Sequence, residues 1–589
     1  MNQGTQFLDL LKNQIDIMRV PFSARGSRLL LYQEAGQSHL LVKLAERLIC
    51  LDPDPEAYLR RPPFIHGLGF VDEAGDFLEF TTTTSPDVLR FRTRLGDFNL
   101  AFQDNHTLAI GLPPGITAGV SFHVNPEMRI KSDSGGEFKS VRNFAYRTNG
   151  ETLKNKITPA DDGYSIEFLV RASDDSTITF HISSSYDLVH EPLPFSRVSA
   201  QAKAHWQKWF NLAPPVAGQY RRTYAYALWV MGCNLLSPLG RLGFECAVPS
   251  KSTYIGAWLW DSAFHAIAYR HIHPALARDQ IRAMLAHQLP NGMLPDAIHD
   301  EGIVTEIGHP FHAEVTKPPI LAWAAMKIHK IAPDLDFLRE IYEPLVRWNS
   351  WWFEFNDDDR DGLAQYNHPY SSGLDDSPLW DHGLPVESPD LNTYLCIQMQ
   401  SLAEMAEALG ISEDGSRWRS RAEAILQRMI EDLWDEQSGL FRAVHDEKPI
   451  PVVTPFNLLP LWTGHLPEKI RARLIAHLKD PREFWGGRVI PTVARNDPSY
   501  DPETMWRGPI WVNINYFFIE ALRRVGEDAL ANELRDKTLN LIMDQTGIFE
   551  YYHAENGIPP SKAGGMFSWT AAVFIDLALQ ASAGIESRQ

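Results

Sequence analysis

The spacing of apolar residues changes near residue 200 of this 589-residue chain, and that change constrains the fold more than any other feature. Before it, short segments alternate apolar and polar residues between Gly, Pro, Asp and Asn, as antiparallel strands with one solvated face do. After it, apolar residues recur at the spacing of a helix face. The sequence therefore predicts a β-rich region followed by a helical one, and the length favours two domains.

The predicted strands of the first region are rich in β-branched and aromatic residues. They lie at 27–33, 39–51, 77–84, 89–102, 107–112, 119–124 and 164–172. Many short strands with regular turn signals predict a β-sandwich over roughly residues 20–190. We therefore expect residues 1–195 to form an antiparallel β-sandwich domain and residues 196–216 to form a linker helix.

The second region, residues 217–589, contains about a dozen helical segments, and long loops with Gly and Pro separate alternate helices. So many helices in one domain predict a closed ring of helix pairs rather than a four-helix bundle. The pairs share no visible sequence identity, which argues against a solenoid of repeats. The fold class is thus mostly α, with a β-sandwich domain in front.

Charge and patterning exclude several classes of function. The chain has 55 Lys and Arg against 74 Asp and Glu, a net charge of −19, which argues against a nucleic-acid-binding surface. No apolar run is long enough to cross a membrane, and the first 20 residues contain no apolar core of a secretory signal. The four cysteines, Cys50, Cys233, Cys246 and Cys396, have no metal-type spacing. We expect reduced thiols in a cytoplasmic protein.

Aromatic and acidic residues concentrate in the loops of the helical region. In the segment Tyr254–His265, Trp258 and Trp260 precede Asp261. Asp261 and His265 stand one helical turn apart, which would suit a metal, although no third ligand with metal spacing is near. An acidic first helical turn with buried Trp is the alternative interpretation.

Two further loops contain the carboxylates of interest. Asp375 and Asp376 follow Gly373 in a short loop bounded by Gly and Pro, where carboxylates are usually solvated turn residues. Glu550 lies between Phe549 and Tyr551, and an aromatic, poorly hydrated setting raises a carboxyl pKa or shields a catalytic water. From residue type alone, both Asp375 and Glu550 look ordinary among the 74 acidic residues of the chain.

Two other segments complete the set. Met505–Tyr516 places Trp506, Arg507 and Trp511 before and at the start of a helix. Gln288–Asp296 is typical of a helix exit followed by a turn, and Gln288 is retained as a candidate.

An acidic turn follows one of the predicted helices. Asp357, Asp359 and Asp361 precede Gly362 with the oxygen spacing of the first half of a calcium loop. His368 stands where the bidentate Glu of such a loop would be, so a calcium ion would need a ligand from elsewhere. An Asp-rich turn without a metal is an equal alternative.

In this order, the segments 258–261, 372–376, 506–511 and 550–552, with Phe567 to Ala571, resemble glycoside hydrolase family 63, which is related to the trehalases of family 37. The likeness is greatest to the mannosylglycerate and glucosylglycerate hydrolase branch. It spans about 330 residues of the helical region. The resemblance implies an (α/α)6 barrel and inversion at the anomeric carbon.

The resemblance also implies roles for particular residues. Asp375, and not Asp376, corresponds to the general acid, and Glu550 corresponds to the general base. Substrate-binding candidates share the same loops and are Tyr254, Trp258, Trp260, Asp261, Gln288, Lys317, Gly373, Trp506, Arg507, Trp511 and Tyr551. Lys317 stands where relatives often have an amide, so that it either favours an acidic aglycone or pairs with a nearby carboxylate. Met505 likewise stands where relatives often have an aromatic residue.

The chemistry suits two carboxyl groups. An inverting glycosidase needs one protonated carboxyl for the leaving oxygen and one carboxylate to activate water, ~6.5–9.5 Å apart. No metal or organic cofactor is required. We therefore expect an exo-acting hydrolase that takes a small carbohydrate or glycoside. The resemblance favours an α-linkage, in an α-glucoside or an α-mannoside such as glucosylglycerate, mannosylglycerate or a disaccharide.

Other functions remain open at this point. A sugar epimerase or isomerase on the same barrel would use histidine bases, for which the candidates are His265, His287, His299, His309 and His312. A glycoside phosphorylase would need an anion site in place of the base. A non-catalytic carbohydrate-binding protein would need neither carboxylate.

Overall fold

The computed structural model of the chain describes residues 2–47, 57–125, 128–132, 135–185 and 188–586. The chain forms two compact units. The first consists of Met1–Ala213 with the segments Leu228–Ser237 and Lys251–Ile255. The second consists of Pro214–Ala227, Pro238–Ser250 and Gly256–Gln589. Cys50 lies outside the described residues, as does the last part of the strand expected at 39–51.

Strands dominate the first unit. Their bounds are Leu29–Gln33 (β1), Leu40–Leu44 (β2), Ile65–Asp72 (β3), Thr81–Thr84 (β4), Leu89–Thr93 (β5), Gly96–Asp104 (β6), Thr107–Gly111 (β7), Thr117–Val124 (β8), Met128–Ser132 (β9), Gly135–Lys139 (β10), Asn143–Thr148 (β11), Glu151–Ala160 (β12), Gly163–Arg171 (β13) and Thr177–Ser183 (β14). One sheet has the order β1-β2-β3-β8-β13-β12, and the other β4-β5-β6-β7-β14-β11-β10-β9. The neighbouring strands pair antiparallel.

The two sheets pack face to face through aromatic side chains. Phe70 of β3 stacks on Phe98 of β6, with ring centroids 4.3 Å apart. Phe122 of β8 lies 4.8 Å from Phe180 of β14, measured between ring centroids. All four side chains are buried. Aromatic pairs of this kind stabilise a core beyond their buried area, so these contacts hold the two sheets together.

Three helices belong to the first unit in full: Gln3–Leu11 (α1), Ala57–Arg60 (α2) and Phe195–Asn211 (α3). The helix expected at 196–216 corresponds to α3. It packs against α1 and against β6 and β7, where buried Val198 contacts Ala101 and Ala109. Because one face of α3 is buried in this way, the helix is part of the first unit as well as a connection.

Helices dominate the rest of the chain. Their bounds are Arg221–Cys233 (α4), Leu259–Ile272 (α5), Pro274–Leu285 (α6), Leu321–Ile331 (α7), Leu335–Phe355 (α8), Pro389–Ala408 (α9), Ser412–Asp432 (α10), Glu468–Lys479 (α11), Val512–Arg524 (α12), Asp528–Met543 (α13) and Ser568–Glu586 (α14). Turns of 3₁₀ helix lie at Gly218–Tyr220, Pro369–Ser372, Pro378–His382 and Pro455–Thr463.

Short strands lie between these helices. They are Leu235–Leu236, Cys246–Ala247, Ala257–Trp258, Ala297–His299, Gly302–Val304, Glu306–Ile307, Ala313–Glu314, Gln365–Tyr366, Val386–Glu387, Trp434–Asp435, Leu440–Phe441, Val444–His445 and Lys448–Pro449.

Six helical segments of the second unit pack in a closed circuit. α5 contacts α7, α7 contacts α9, and α9 contacts the 3₁₀ helix Pro455–Thr463. That helix contacts α12, α12 contacts α14, and α14 returns to α5. These six segments are buried almost all round, whereas α6, α8, α10, α11 and α13 bury one face and expose the other. Helices that are apolar all round must be enclosed by others, which makes the six the inner layer.

A buried ionic network joins three of the inner helices. Asp576 of α14 accepts hydrogen bonds from Arg270 of α5 at 2.5 Å and from Tyr516 of α12 at 2.6 Å. His271 Nε2 lies 2.7 Å from the same carboxylate, and Gln580 donates to it at 2.6 Å. Burial alone would raise the pKa of Asp576, but Arg270 and His271 lower it far below its ordinary value. The carboxylate is therefore ionised and fully paired.

The described cysteines fit the expectation of reduced thiols. Cys233, Cys246 and Cys396 are free and buried. Burial raises the pKa of Cys233 and of Cys396 to about 12, so both are protonated and unreactive. Among the described helices, none is both long and apolar enough to cross a membrane.

Candidate active site

The candidate residues stand just before inner helices. Trp258 precedes α5, Lys317 precedes α7, Trp506 precedes α12, and Phe567 precedes α14. The loop with Asp375 leads into α9. Because an outer helix returns the chain between successive inner ones, the N-terminal ends of the inner helices lie at one end of the circuit. The local sequence therefore gathers five separate loops there.

Gly373 and Trp260 fit against each other. Gly373 has a φ of +74°, and a Cβ atom built on it would lie 2.5 Å from Cζ2 of Trp260. Both the left-handed backbone conformation and the lack of room beside Trp260 exclude a side chain at this position. The loop that contains Asp375 is thereby held against the first turn of α5.

Asp375 and its neighbour Asp376 differ in their surroundings. Oδ1 of Asp376 accepts the backbone N–H of Trp506 at 2.8 Å, which joins two loops. Oδ1 of Asp375 is buried and has no hydrogen-bond partner among the described residues. Burial raises the pKa of Asp375 to about 6, and Lys317 offsets part of that rise. Burial also raises the pKa of Asp376, so the two residues differ in their contacts: Asp376 is a structural acceptor, whereas Asp375 has a buried oxygen without such a bond.

Lys317 is surrounded by carboxyl groups. Its Nζ lies 2.7 Å from Oδ1 of Asp296 and donates to the carbonyl of Tyr370 at 2.5 Å. Both Lys317 and Asp296 are buried. Burial alone would lower the pKa of Lys317, but the carboxyl groups around it, chiefly Asp296 and Asp375, raise it. The lysine is therefore charged and already paired.

Asp261, in the first turn of α5, is a further buried carboxyl group beside Asp296 and Asp375. Its side chain is 2% exposed, and its Oδ1 has no hydrogen-bond partner among the described residues. Burial raises the pKa of Asp261 to about 8, with Lys317 opposing the rise. Such a group is mostly protonated at neutral pH, and its unpaired oxygen suits a hydroxyl group of a bound sugar.

Stacked aromatic side chains form a wall beside these carboxyl groups. Trp506 and Trp511 stack with ring centroids 3.7 Å apart, and Tyr551 stacks on Trp511 at 4.8 Å. Trp569 meets Trp260 and Trp511 edge to face, both at 5.3 Å between centroids. Flat apolar faces of this kind pack against sugar rings.

Glu550 lies beside this wall and is 4% exposed. Its Oε2 accepts the backbone N–H of Gly564 at 3.0 Å, and its own N–H donates to the carbonyl of the same glycine at 2.9 Å. These bonds orient the carboxylate. Both Glu550 and Asp376 raise the pKa of Tyr551, after the larger effect of burial, which links the Glu550 loop to the Asp375 loop.

Three candidates are placed differently from the others. Tyr254 belongs to the first compact unit and is half-buried. Gln288 donates to the carbonyls of Gly292 and Pro344, both at 2.8 Å, and accepts a hydrogen bond from Arg347. Its amide thus supports a turn.

Arg507 is the third candidate that is placed differently from the others. It makes a two-pronged ion pair with Asp381, at 2.8 and 2.6 Å. Its guanidinium therefore braces the loop that follows Asp375, and it is not aimed at the carboxyl cluster.

Sequence reasoning missed Asp296 and Trp569. Asp296 ends a segment that was interpreted as a simple turn. The short apolar segment after it, which forms the strand Ala297–His299, could have indicated that Asp296 is buried. Trp569 lies in the motif that carried the family resemblance, but it was not singled out. Both were hard to recognise because their partners are remote in sequence.

Two histidines of the epimerase alternative have partners outside this cluster. His287 Nε2 lies 2.7 Å from the carbonyl of Arg241, and His312 lies 3.2 Å from Glu306. His265 is fully buried, and burial lowers its pKa to about 3. His299 packs edge to face on Trp258, at 5.5 Å between centroids.

The acidic turn lies in the same connection between α8 and α9 as Asp375, and the short strand Gln365–Tyr366 separates the two. Carboxylate oxygens of Asp357, Asp359 and Asp361 lie within 4.8 Å of one another. Oδ1 of Asp357 is buried without a hydrogen-bond partner among the described residues. Burial and these aspartates, Asp361 first, raise the pKa of Glu387 to about 7, so a fourth carboxyl group faces the turn. The donors fit a hard cation such as calcium.

Comparison with known proteins shows which family the helical region matches. The profile of the mannosylglycerate hydrolase MGH1-like glycoside hydrolase domain matches residues 254–570. The mannosylglycerate hydrolase of Thermus thermophilus is 28% identical over 404 residues, covering 55% of this chain and 95% of that protein. The glucosylglycerate hydrolase of Mycolicibacterium hassiacum is 25% identical over 413 residues, covering 55% and 92%.

Two solved structures share the fold. The family 63 mannosylglycerate hydrolase of Thermus thermophilus in complex with glucose superposes with a TM-score of 0.52 at 24% identity, covering 60% of this chain and 99% of that chain. A bacterial glucoamylase complexed with acarbose superposes with a TM-score of 0.59 at 11% identity, covering 96% and 93%. At these identities the likeness concerns the fold alone.

Proposed function

Because the chain belongs to the mannosylglycerate hydrolase MGH1-like glycoside hydrolases, we propose that it removes one terminal sugar from a small α-linked glycoside with inversion. The observation that carries this proposal is the presence, in loops before the inner helices, of two carboxyl groups with different surroundings. Asp375 has a raised pKa and an unpaired buried oxygen. Glu550 is oriented by Gly564 beside the aromatic wall.

The proposed mechanism assigns one proton transfer to each group. Asp375 in its protonated form donates to the glycosidic oxygen as the bond to the anomeric carbon breaks. Glu550 takes a proton from a water molecule that attacks the opposite face of that carbon. The sugar leaves with inverted configuration, and the aglycone leaves as an alcohol. Asp261 would bind a sugar hydroxyl group, and Trp506 would pack against the ring with the face that Trp511 does not cover.

We also propose that the six-segment circuit is the inner layer of an (α/α)6 barrel. The intervening helices α6, α8, α10, α11 and α13 would form most of the outer layer, since each exposes one face. The candidate loops would then line the mouth of the barrel, where a closed pocket favours removal of a single terminal sugar.

Lys317 bears on the choice of aglycone. Against the larger effect of burial, Lys317 lowers the pKa of Asp375, and Arg507 lowers the pKa of Asp376. Each of these cations already forms an ion pair, Lys317 with Asp296 and Arg507 with Asp381. An acidic aglycone would therefore gain little from either. We propose that Lys317 serves Asp296 and Asp375, and that neutral α-glucosides or α-mannosides are accepted at least as well as glycerate conjugates.

Matched substrates test both parts of this proposal. Glucosylglycerate and mannosylglycerate would be compared with glucosylglycerol and mannosylglycerol, and the first anomer released would be followed by NMR. We expect hydrolysis with inversion and a kcat/KM for the neutral member no lower than for the acidic one. Release of the retained anomer, or dependence on phosphate, would contradict the mechanism, whereas a clear preference for glycerate conjugates would contradict only the role of Lys317.

The pH profile provides a prediction about the general acid. Since Asp375 must be protonated and its pKa is about 6, kcat/KM should fall on the alkaline side with a midpoint near pH 6. Lys317 lowers that pKa, so Lys317→Gln should move the alkaline limb to higher pH. The glutamine also restores the amide that relatives often have at this position. Rate profiles of both proteins check the shift, and an unmoved alkaline limb would contradict the electrostatic role.

We further propose that Asp357, Asp359 and Asp361, with Glu387, hold a structural calcium ion. Calcium that binds only the folded protein should raise the free energy of unfolding by about 2.7 kcal/mol at a concentration one hundred times its Kd. Thermal unfolding with calcium and with a chelator would measure this effect, with Asp359→Asn as the comparison. Equal melting temperatures in all samples would instead support an Asp-rich turn held by its backbone bonds, such as Gly362 N–H to Asp357.

A further inference from the structure

Two histidines face each other on the outer side of the six-stranded sheet. His66 of β3 pairs directly with His123 of β8 in the antiparallel register. Their ring centroids are 4.4 Å apart. The next pair along, Ile65 and Val124, is fully buried. Because side chains alternate along a strand, the two imidazoles project from the face opposite to the core.

A carboxylate completes the cluster from a neighbouring turn. Asp162 lies between β12 and β13, and its Oδ1 is 2.8 Å from Nε2 of His123. Nitrogen and oxygen atoms of His66, His123 and Asp162 all lie within 4.8 Å of one another. Ser165 Oγ lies 3.4 Å from Nδ1 of His123, and metal-binding histidines usually have such a partner at their second nitrogen.

The backbone supports this convergence. The register of β3 against β8 shifts after His66, between His66 and Gly69, which is a β-bulge. Gly67 within the bulge has a φ of +59°, a conformation that suits glycine. Bulges often redirect a side chain at a binding site.

The charges around the cluster also favour a cation. The carboxyl groups of Asp162 and Glu34 both lie near His66 and favour a positive charge there. Asp162 adds an anionic oxygen, and Glu34 adds a second negative charge nearby.

We propose that His66, His123 and Asp162 bind one divalent transition-metal ion. Two imidazoles and one carboxylate form the ligand set that zinc accepts, and water would complete the coordination. On binding, the metal takes the position between Nε2 of His123 and Asp162, and the ring carries its proton on Nδ1, beside Oγ of Ser165. This site belongs to the β-rich unit and is independent of the hydrolytic mechanism proposed for the other unit.

Metal titration of the full chain tests the proposal. The protein would be stripped with a chelator and dialysed, and zinc binding would then be measured by calorimetry. Cobalt would serve as a spectroscopic probe of nitrogen ligands. We expect one zinc ion to bind in the micromolar range or tighter, and His66→Ala, His123→Ala and Asp162→Asn to weaken it by at least ~10-fold.

Two variants provide controls. His39→Ala removes a half-buried histidine just before the neighbouring strand β2, outside the cluster. Asp359→Asn disables the acidic turn. Both should bind zinc at the proposed site as the unmodified protein does. Asp162 is 65% exposed in a turn, so Asp162→Asn should fold normally even if a histidine variant does not. Absent micromolar binding, or binding unchanged in Asp162→Asn and His123→Ala, would overturn the proposal.

Discussion

Replacement of Asp375 by asparagine is expected to lower kcat by at least ~100-fold, and replacement of Glu550 by glutamine by a similar factor. Asparagine has no proton to give to the leaving oxygen, and glutamine cannot take one from the attacking water. Both substitutions preserve shape, so folding should be unaffected. Single-turnover and steady-state rates on an α-glycoside that the unmodified protein hydrolyses would measure the loss.

Asp376→Asn is the matched control for Asp375→Asn. The amide oxygen of asparagine can still accept the N–H of Trp506, so the contact between the two loops should survive. We expect a much smaller loss of kcat in this variant. Near-normal turnover by Asp375→Asn, or an equally large loss in Asp376→Asn, would contradict the assignment of the acid.

Asp576→Ala is expected to produce the largest loss of stability. It would leave the buried guanidinium of Arg270 without its counterion, and such uncompensated charges cost about 3–5 kcal/mol. The free energy of unfolding in urea should fall by that amount. The exposed pair Arg488–Asp544 offers a control, because Asp544→Ala should cost about 1 kcal/mol or less. Equal effects of the two substitutions would contradict the importance of the network.

The same network implies a direction for pH. The pKa of Asp576 in the folded chain lies far below that of an unfolded aspartate, because Arg270 and His271 outweigh burial. Its stabilisation is therefore complete above the ordinary aspartate pKa and is lost as the pH falls toward the folded value. The stability difference between the unmodified chain and Asp576→Ala should shrink in acid.

The broad plan of the fold could be predicted because the apolar residues that face the core recur at regular spacing in the sequence. Alternating segments such as 107–112 and 119–124 became β7 and β8, and the family resemblance read from ordered motifs is confirmed. Strands β3, β9, β10, β11, β12 and β14 were not predicted. β12 is a mostly exposed edge strand rich in polar residues, so it has no apolar alternation to detect.

The candidate site was predictable only in part. Ordered motifs singled out Asp375 over Asp376, and the bond from Trp506 to Asp376 supplies a physical reason for that choice. The pairing of Lys317 with Asp296 joins residues 21 positions apart, so sequence left both of its interpretations open. Gln288 presents a difficulty of the same kind: its amide donates to the carbonyl of nearby Gly292 and to that of Pro344, 56 residues away, and no motif reveals either bond.

The placement of the candidate side chains ahead of inner helices has a consequence for how such a protein can change. The scaffold and most of the candidate residues lie in different stretches of sequence, because Asp576 and its partners join the helices while most candidates lie in the loops. A loop can be exchanged with that of a relative without cutting a helix. Substrate range should therefore be transferable piece by piece, and chimaeras with a foreign loop before α7 or α9 are the natural starting points for redesign.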